Sequence, residues 1–328
     1  MKYILYISAI LLVFTGCSSK KYFEPEEVKD EFVSNYNYLP SKIKSINRTG
    51  ATLESLEFVS KKGISKVQLP KGFEFLNLSD KQEVIATNKK DKILVAEKEI
   101  EVNDVVVAAS LQNNLLAILY SNNSIELMDI NTKKTLFKDY QVKSLANDTR
   151  LVNPYFMGNL ILFPTLNGKI VIVSALNYKS VRTISVDPDG QFNNIIFLEV
   201  DEQTQTLITA TANKIVSISP QEVLSQDYEI RDLALKDRSI YLATIDGRII
   251  KLSLDLNEQN TQKFKYSKIH ALGYDNGNIY AIESQGYVIK IDDNFNKNEI
   301  LDFDFDNTER MIVIDNKIYF SNKYTTLP

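Results

Sequence analysis

The stretch Ser239 to Asp255, SIYLATIDGRIIKLSLD, returns at Asn278 to Asn294 as NIYAIESQGYVIKIDDN, 39 residues further on. Tyr241 maps onto Tyr280, Gly247 onto Gly286, and Ile250-Lys251 onto Ile289-Lys290. After another 39 residues, Lys317-Ile318-Tyr319-Phe320 begins the phrase again. Each copy reads as two apolar, β-branched strands around a tight turn, Asp246-Gly247 in the first. Strand hairpins recurring at a period of about 40 residues predict the blades of an all-β propeller.

The residue that opens the strand after each mid-blade turn serves as a ruler. It is Ile93, Ile125, Ile170, Ile215, Ile249 and Val288. All six are β-branched, as a buried strand start prefers. Their spacings are 32, 45, 45, 34 and 39, so the loops absorb the variation while the strands keep their length. These are six complete repeats. The hairpin Leu53 to Leu69 and the fragment Met311 to Asn322 each hold two strands. Joined, they predict a seven-bladed β-propeller whose amino- and carboxy-terminal strands share the closing blade, leaving no blade unpaired.

A closed ring can use most of a 328-residue chain as one domain. The 38 Lys plus Arg against 42 Asp plus Glu argue against a nucleic-acid binder, which needs a basic surface to displace counterions. With 33 Tyr and Phe and no Trp, blade packing must rest on Tyr, Phe, Leu and Ile. One Cys and one His cannot assemble a Cys/His metal cluster or an internal disulfide. Any triad chemistry would have to run through His270. That residue opens a strand, Lys268-Ile269-His270-Ala271-Leu272, and reads as a packed or rim side chain. The run Asp302-Phe303-Asp304-Phe305-Asp306-Asn307 alternates acid and aromatic. It lacks the Gly turn and later Glu of a calcium loop and reads as an outer strand with one wet face. Tyr241, Tyr280 and Tyr319, at equivalent positions on successive blades, read as inter-blade packing.

The amino terminus is a processing segment. Lys2 supplies a positive start, and Tyr3 to Phe14 is an apolar run too short for a comfortable span. Thr15-Gly16-Cys17 follows. This resembles the lipobox of bacterial lipoproteins, with Phe14 where that family usually has Leu. The resemblance implies cleavage before Cys17, diacylglycerol on its thiol and a fatty acyl group such as palmitate on its new amino terminus. Ser18 in place of Asp implies passage to the outer membrane. Residues 1–16 are thus expected to be signal peptide, 17–42 the lipidated Cys and a tether, and 43–328 the propeller. The tether would let the body stand clear of the bilayer.

The run Ile125-Glu126-Leu127-Met128-Asp129-Ile130-Asn131-Thr132-Lys133-Lys134-Thr135-Leu136-Phe137 resembles the repeat of quinoprotein-like propellers. Lys133 stands where that repeat has Gly, and Phe137 where it has Trp. A lipobox, a tether and such a propeller together resemble the BamB-like lipoproteins. That resemblance implies a periplasmic scaffold on the outer membrane that binds protein partners, including the outer-membrane barrel insertase, as a monomeric propeller. No partner-binding residue of that family maps onto a motif here. Without Trp to stack a quinone, the chain is expected to be neither a quinone enzyme nor any other enzyme, and to hold no cofactor or metal. The alternative is a receptor binding a small ligand or cell-wall component in its central channel. A scaffold should show an exposed apolar patch or open strand edge. A receptor should show a central pocket with convergent polar groups.

Overall fold

Ile93, Ile125, Ile170, Ile215, Ile249 and Val288 all have 0% exposure. Each lies at the start of the third strand of a four-stranded antiparallel sheet, with neighbours on both sides. A computed structural model describes residues 21–32, 35–144, 147–190 and 193–328. Among them are eight such sheets, arranged as the blades of one propeller. In chain order, blade one spans Ile43–Ile46 to Gly63–Ile64, blade two Glu74–Leu78 to Lys98–Glu101, and blade three Val106–Gln112 to Lys134–Tyr140. Blade four spans Tyr155–Met157 to Ser180–Ser185, blade five Phe197–Asp201 to Val223–Asp227, and blade six Ile230–Lys236 to Glu258–Lys263. Blade seven spans Ile269–Asp275 to Asn298–Asp302. Blade eight joins Met311–Ile314, Lys317–Phe320 and Lys323–Thr326 to Asn37–Tyr38.

Eight blades correct the expected seven. The two terminal pieces do not merge; each belongs to its own blade. Leu53 closes the second strand of blade one, and residues 54–57 form a turn rather than a strand, with Leu56 at φ 74°. The strand Ile43–Ile46 and all but the last residue of Gly50–Leu53 lie before the expected hairpin, and Lys323–Thr326 lies beyond the expected fragment. All three are short and carry polar residues, so alternation does not mark them. A clasp between chain ends does exist, in different strands: Asn37 pairs with Tyr324 and Tyr38 with Lys323. It closes the ring without leaving a blade open.

Apolar clusters fill the wedges between neighbouring blades. Ile208 and Ile215 of blade five pack with Ile240 and Ile250 of blade six. Tyr241, Tyr280 and Tyr319 are all buried. Tyr241 stacks on Tyr274 of blade seven at 5.3 Å and donates its hydroxyl to Asp293, also of blade seven. Tyr319 packs among Leu39, Ile43 and Val59, joining blade eight to blade one. Inter-blade packing is therefore their role. The mid-blade turn needs a left-handed residue, and Gly247 supplies it at φ 81°. A Cβ there would lie 2.3 Å from the Phe264 carbonyl oxygen.

Of residues 17–42, expected to be the lipidated Cys and tether, the described 21–32 and 35–42 lie against the ring over much of their length. Phe23 is buried between blades six and seven, 6.4 Å from the Phe264 ring and 5.9 Å from that of Tyr287. Phe32 is buried against Tyr280 and Phe303 at 6.1 and 5.4 Å. Between these anchors the segment adds itself to the outer edge of blade seven. The Lys29 N–H donates to Ile300 O at 2.9 Å, Phe32 N–H to Asp302 O at 2.7 Å, and Asp302 N–H returns a bond to Asp30 O at 2.9 Å. Glu31 and Asp302 form the parallel bridge. Cys17 and residues 1–16, the expected signal peptide, lie outside the described residues.

Candidate functional site

The innermost strand of each blade faces the central channel. In blades one, two, three, six and seven this strand has a register shift near its start, between Ile43/Ser45, Phe75/Asn77, Val106/Ala108, Ile230/Asp232 and Ile269/Ala271. An extra residue in one strand bends it and re-aims the side chains around it. In blades six and seven the extra residues are Arg231 and His270, and both line the channel cavity.

The turn Asn47 to Gly50 of blade one reaches across this channel. Asn47 Oδ1 accepts the backbone N–H groups of Thr49 and Gly50 at 2.8 and 3.0 Å, which holds the turn tight. Asn47 Nδ2 donates to Phe75 O at 2.6 Å and Thr49 Oγ1 to Leu76 O at 2.6 Å, both in blade two. Arg48 spans the bore to the far blades. Its Nε donates to Ile196 O at 3.0 Å, just before blade five, and its Nη1 to Asp232 Oδ1 of blade six at 2.7 Å. Asp232 Oδ2 accepts the Leu272 N–H of blade seven at 2.8 Å. The turn requires Gly50, because a Cβ there would meet Val59 O at 2.1 Å and the Phe75 ring at 2.5 Å.

A second arginine braces the same channel from the linker before blade four. Arg150 pairs with Asp148 and donates Nη1 to Ile230 O at 3.2 Å and to Arg231 O. The guanidinium of Arg150 is the main group holding the Asp148 carboxyl below its ordinary range, against a desolvation cost that acts the other way. A cavity of about 840 Å³ remains beside these struts. Glu199 faces it, and the surrounding protein pushes its carboxyl up by desolvation, with Lys236 and Arg48 opposing that shift. His270 also faces it, edge-on to Phe305 at 5.6 Å, and desolvation lowers its ring below the ordinary value. His270 is thus a channel-facing side chain, rather than the packed or rim one its sequence context suggested. No group of three or more potential metal ligands occurs among the described residues. Phe303 and Phe305 are buried while Asp302, Asp304 and Asp306 are exposed; the alternation was legible, although the strand itself ends at Asp302.

The outer rim differs from the channel. The fourth strand of blade four, Ser180–Ser185, is exposed at five of its six positions and has no further strand beside it among the described residues. Tyr140 and Val142 of blade three and Leu176 and Val181 of blade four are large apolar side chains in contact with water. The sequence reading did not single out Arg48, Arg150, Asp148 or Asp232. The one local signal was Asp232 at a buried position of the strand Ile230–Lys236, between Ile230 and Leu233 on its apolar side.

No protein-family model matches the chain. It is 29% identical, over 363 aligned positions and 95% of its length, to plasminogen-binding protein PgbB of Helicobacter pylori, in each of two strains. The chain spans about 65% of the length of those curated relatives. Among solved structures, BamB from Moraxella catarrhalis superposes with a TM-score of 0.68 at 12% identity, covering 88% of this chain and 98% of that one. The C-terminal WD40 domain of Sif2 superposes at 0.63 and 11% identity, covering 92% and 99%. At such identities the likeness concerns the fold, and in fold this chain is a BamB-like β-propeller.

Proposed function

We propose that this chain is a lipid-anchored scaffold that binds protein partners through its rim and outer strand edges and carries out no catalytic step. The observation that carries the reading is the contrast between channel and rim. The two arginines that brace the channel are spent on carboxylates there, Arg48 on Asp232 and Arg150 on Asp148. The outer edge of blade four, with exposed Val181, offers unpaired backbone groups for strand addition or side-chain docking. The relatives named as plasminogen-binding support a protein-binding role. The lipobox-like Thr15-Gly16-Cys17 supports attachment through Cys17, and Ser18 supports the outer membrane with the propeller facing the periplasm.

Two partners follow from two separate supports. The sequence relatives point to plasminogen, and the BamB-like fold points to the outer-membrane barrel insertase. The test is a mild crosslink and affinity capture of the tagged protein extracted from its membrane, read by mass spectrometry, beside binding of the purified propeller to immobilised plasminogen. Stoichiometric recovery of the insertase assigns an assembly role. Saturable plasminogen binding that a Val181→Glu/Arg182→Glu variant loses assigns the rim as a receptor-type surface. Neither protein retained by folded, lipidated material overturns the scaffold reading. Lipidation is read independently, as Cys17-dependent incorporation of an alkyne-tagged palmitate.

A further inference from the structure

The segment that leads to Cys17 joins the ring at one defined place, and the surface there has a composition of its own. Phe23 is held between blades six and seven, and its N–H donates to Gln285 Oε1 at 2.9 Å. Just before it, Lys21 places its ammonium 5.4 Å from the centre of the Tyr266 ring. Lys265 approaches the same ring at 5.1 Å. Tyr266 is at the tip of the turn between blades six and seven with φ 65°, a backbone state that bulky side chains rarely adopt. It is 38% exposed, and Tyr22 is 51% exposed. Lys268 is exposed at the start of blade seven, with its backbone tied to the Ser284 turn beside Gln285. Of the acids nearby, Asp246 and Asp304 are engaged by cations, while Glu24, Glu26 and Glu27 are exposed. Asp246 is paired with both Arg248 and Lys263. Glu24, Glu26 and Glu27 follow in the arm as it passes toward the outer edge of blade seven, where Glu27 acts on Lys29. On the next linker, Asp304 is engaged by Lys323.

From these placements we infer that Lys21, Tyr22, Lys265, Tyr266 and Lys268 form a surface that rests on an anionic bilayer. The inference rests on the lipid-anchor reading and deepens it. Four residue steps separate Cys17 from Lys21 in the sequence. That chain can span at most about 14 Å when fully extended. An acylated Cys17 therefore brings Tyr22 and Tyr266 to headgroup depth. Lysines near an anionic surface are attracted to it, and Tyr rings favour the interface. The expected tether does not hold the ring clear of the membrane. It binds the edge at blades six and seven close to it and leaves blades two to four, with the open edge of blade four, turned away.

The test has two parts, and the first does not depend on lipidation. Residues 18–328, which contain every described contact, are sedimented with vesicles of 30% phosphatidylglycerol in phosphatidylcholine and with phosphatidylcholine alone. The expected result is salt-sensitive binding to the anionic vesicles only. A Lys21→Glu/Lys265→Glu/Lys268→Glu variant with an unchanged melting curve should lose that binding by on the order of a hundredfold, about fivefold per lysine. Equal partition into both vesicles, or full binding by the triple variant, overturns the surface. The second part uses the lipidated full chain. Because the chain has no Trp, Tyr266→Trp gives a single indole, and Tyr140→Trp gives a remote one. Brominated lipids should quench Trp at position 266 and spare Trp at 140. Equal quenching, or none at 266 in protein whose mass shows the acyl chains, refutes the orientation while leaving the anchor intact.

Discussion

The channel strut offers a quantitative check on how the ring is held. Arg48 and Asp232 meet at 2.7 Å with side chains 24% and 11% exposed, so the pair is mostly, not wholly, desolvated. Removing one partner of a fully buried pair costs about 3–5 kcal/mol, because the other charge is left without compensation. Contact with the channel cavity moderates that figure. Arg48→Met should cost about 2–3 kcal/mol, since Asp232 keeps only the Leu272 N–H and the Ile196 carbonyl loses its donor. Asp232→Asn keeps an acceptor for Leu272 and should cost about 2 kcal/mol. The double variant removes both charges together and should cost less than the two single variants summed, by about 1–2 kcal/mol. Unfolding entropy near 2 cal/mol/K per residue makes each single loss about a 4 °C fall in Tm. The assay is guanidinium unfolding of all four proteins followed by far-UV signal, with thermal melts in parallel. Single costs that add within about 0.5 kcal/mol would show that Arg48 and Asp232 act independently, and the strut would be refuted.

Other consequences are as direct. Deleting residues 323–328 removes the partner of Asn37–Tyr38 and the third strand of blade eight, so the ring loses its closure. Its melting temperature should fall by more than about 10 °C, well beyond the cost of a frayed end, and a truncated chain that melts like the full one refutes the clasp. Phe32→Ala should weaken arm docking by about 3 kcal/mol, read as faster hydrogen exchange at the Asp302 amide, while deeper blades keep their protection. Glu199 is solvent-accessible within the channel, and desolvation by the surrounding walls raises its folded-state pKa, so its charge costs stability above that value and the cost vanishes as pH falls toward the unfolded value of about 4.3. Glu199→Gln should therefore melt slightly higher than the natural protein at pH 7 and converge with it by about pH 4; a constant difference across that window argues against the desolvation.

How far the sequence spoke depends on where water is. The third strand of a blade has a strand on each side and a neighbouring blade on each face, so only apolar, β-branched openers fit, and Ile93 to Val288 marked six blades without error. Blades one and eight escaped because the same strands there are the buried but three-residue Phe58–Ser60, opened by Phe, and the partly wet Lys323–Thr326, each flanked by a two-residue outer strand. Lys323 is tolerated in that position because its ammonium reaches Asp304 at 3.1 Å and lies over the Tyr36 ring. The strut was illegible for another reason. Arg48 and Asp232 are 184 positions apart, and no local pattern reports a partner at that distance. Arg48 was one polar residue in the turn Asn47-Arg48-Thr49-Gly50, whose meaning came only from the ring closing around it.

The arm ties these levels together. It crosses the wedge between blades six and seven with Phe23, joins the edge of blade seven beside Asp302, fills the next wedge with Phe32 and ends as the outer strand of blade eight. The seam of the ring lies between blades eight and one, where Tyr319 packs against Ile43 and Val59. A load applied through Cys17 would meet the Phe23 wedge and the blade-seven edge before it reached the two-residue clasp. That order protects the weakest closure, since Asn37–Tyr38 alone holds few backbone bonds. An anchor joined directly to Asn37 would pull first on that strand. With the proposed lipid anchor, the aromatic contacts let one segment attach the ring to a membrane and keep it closed.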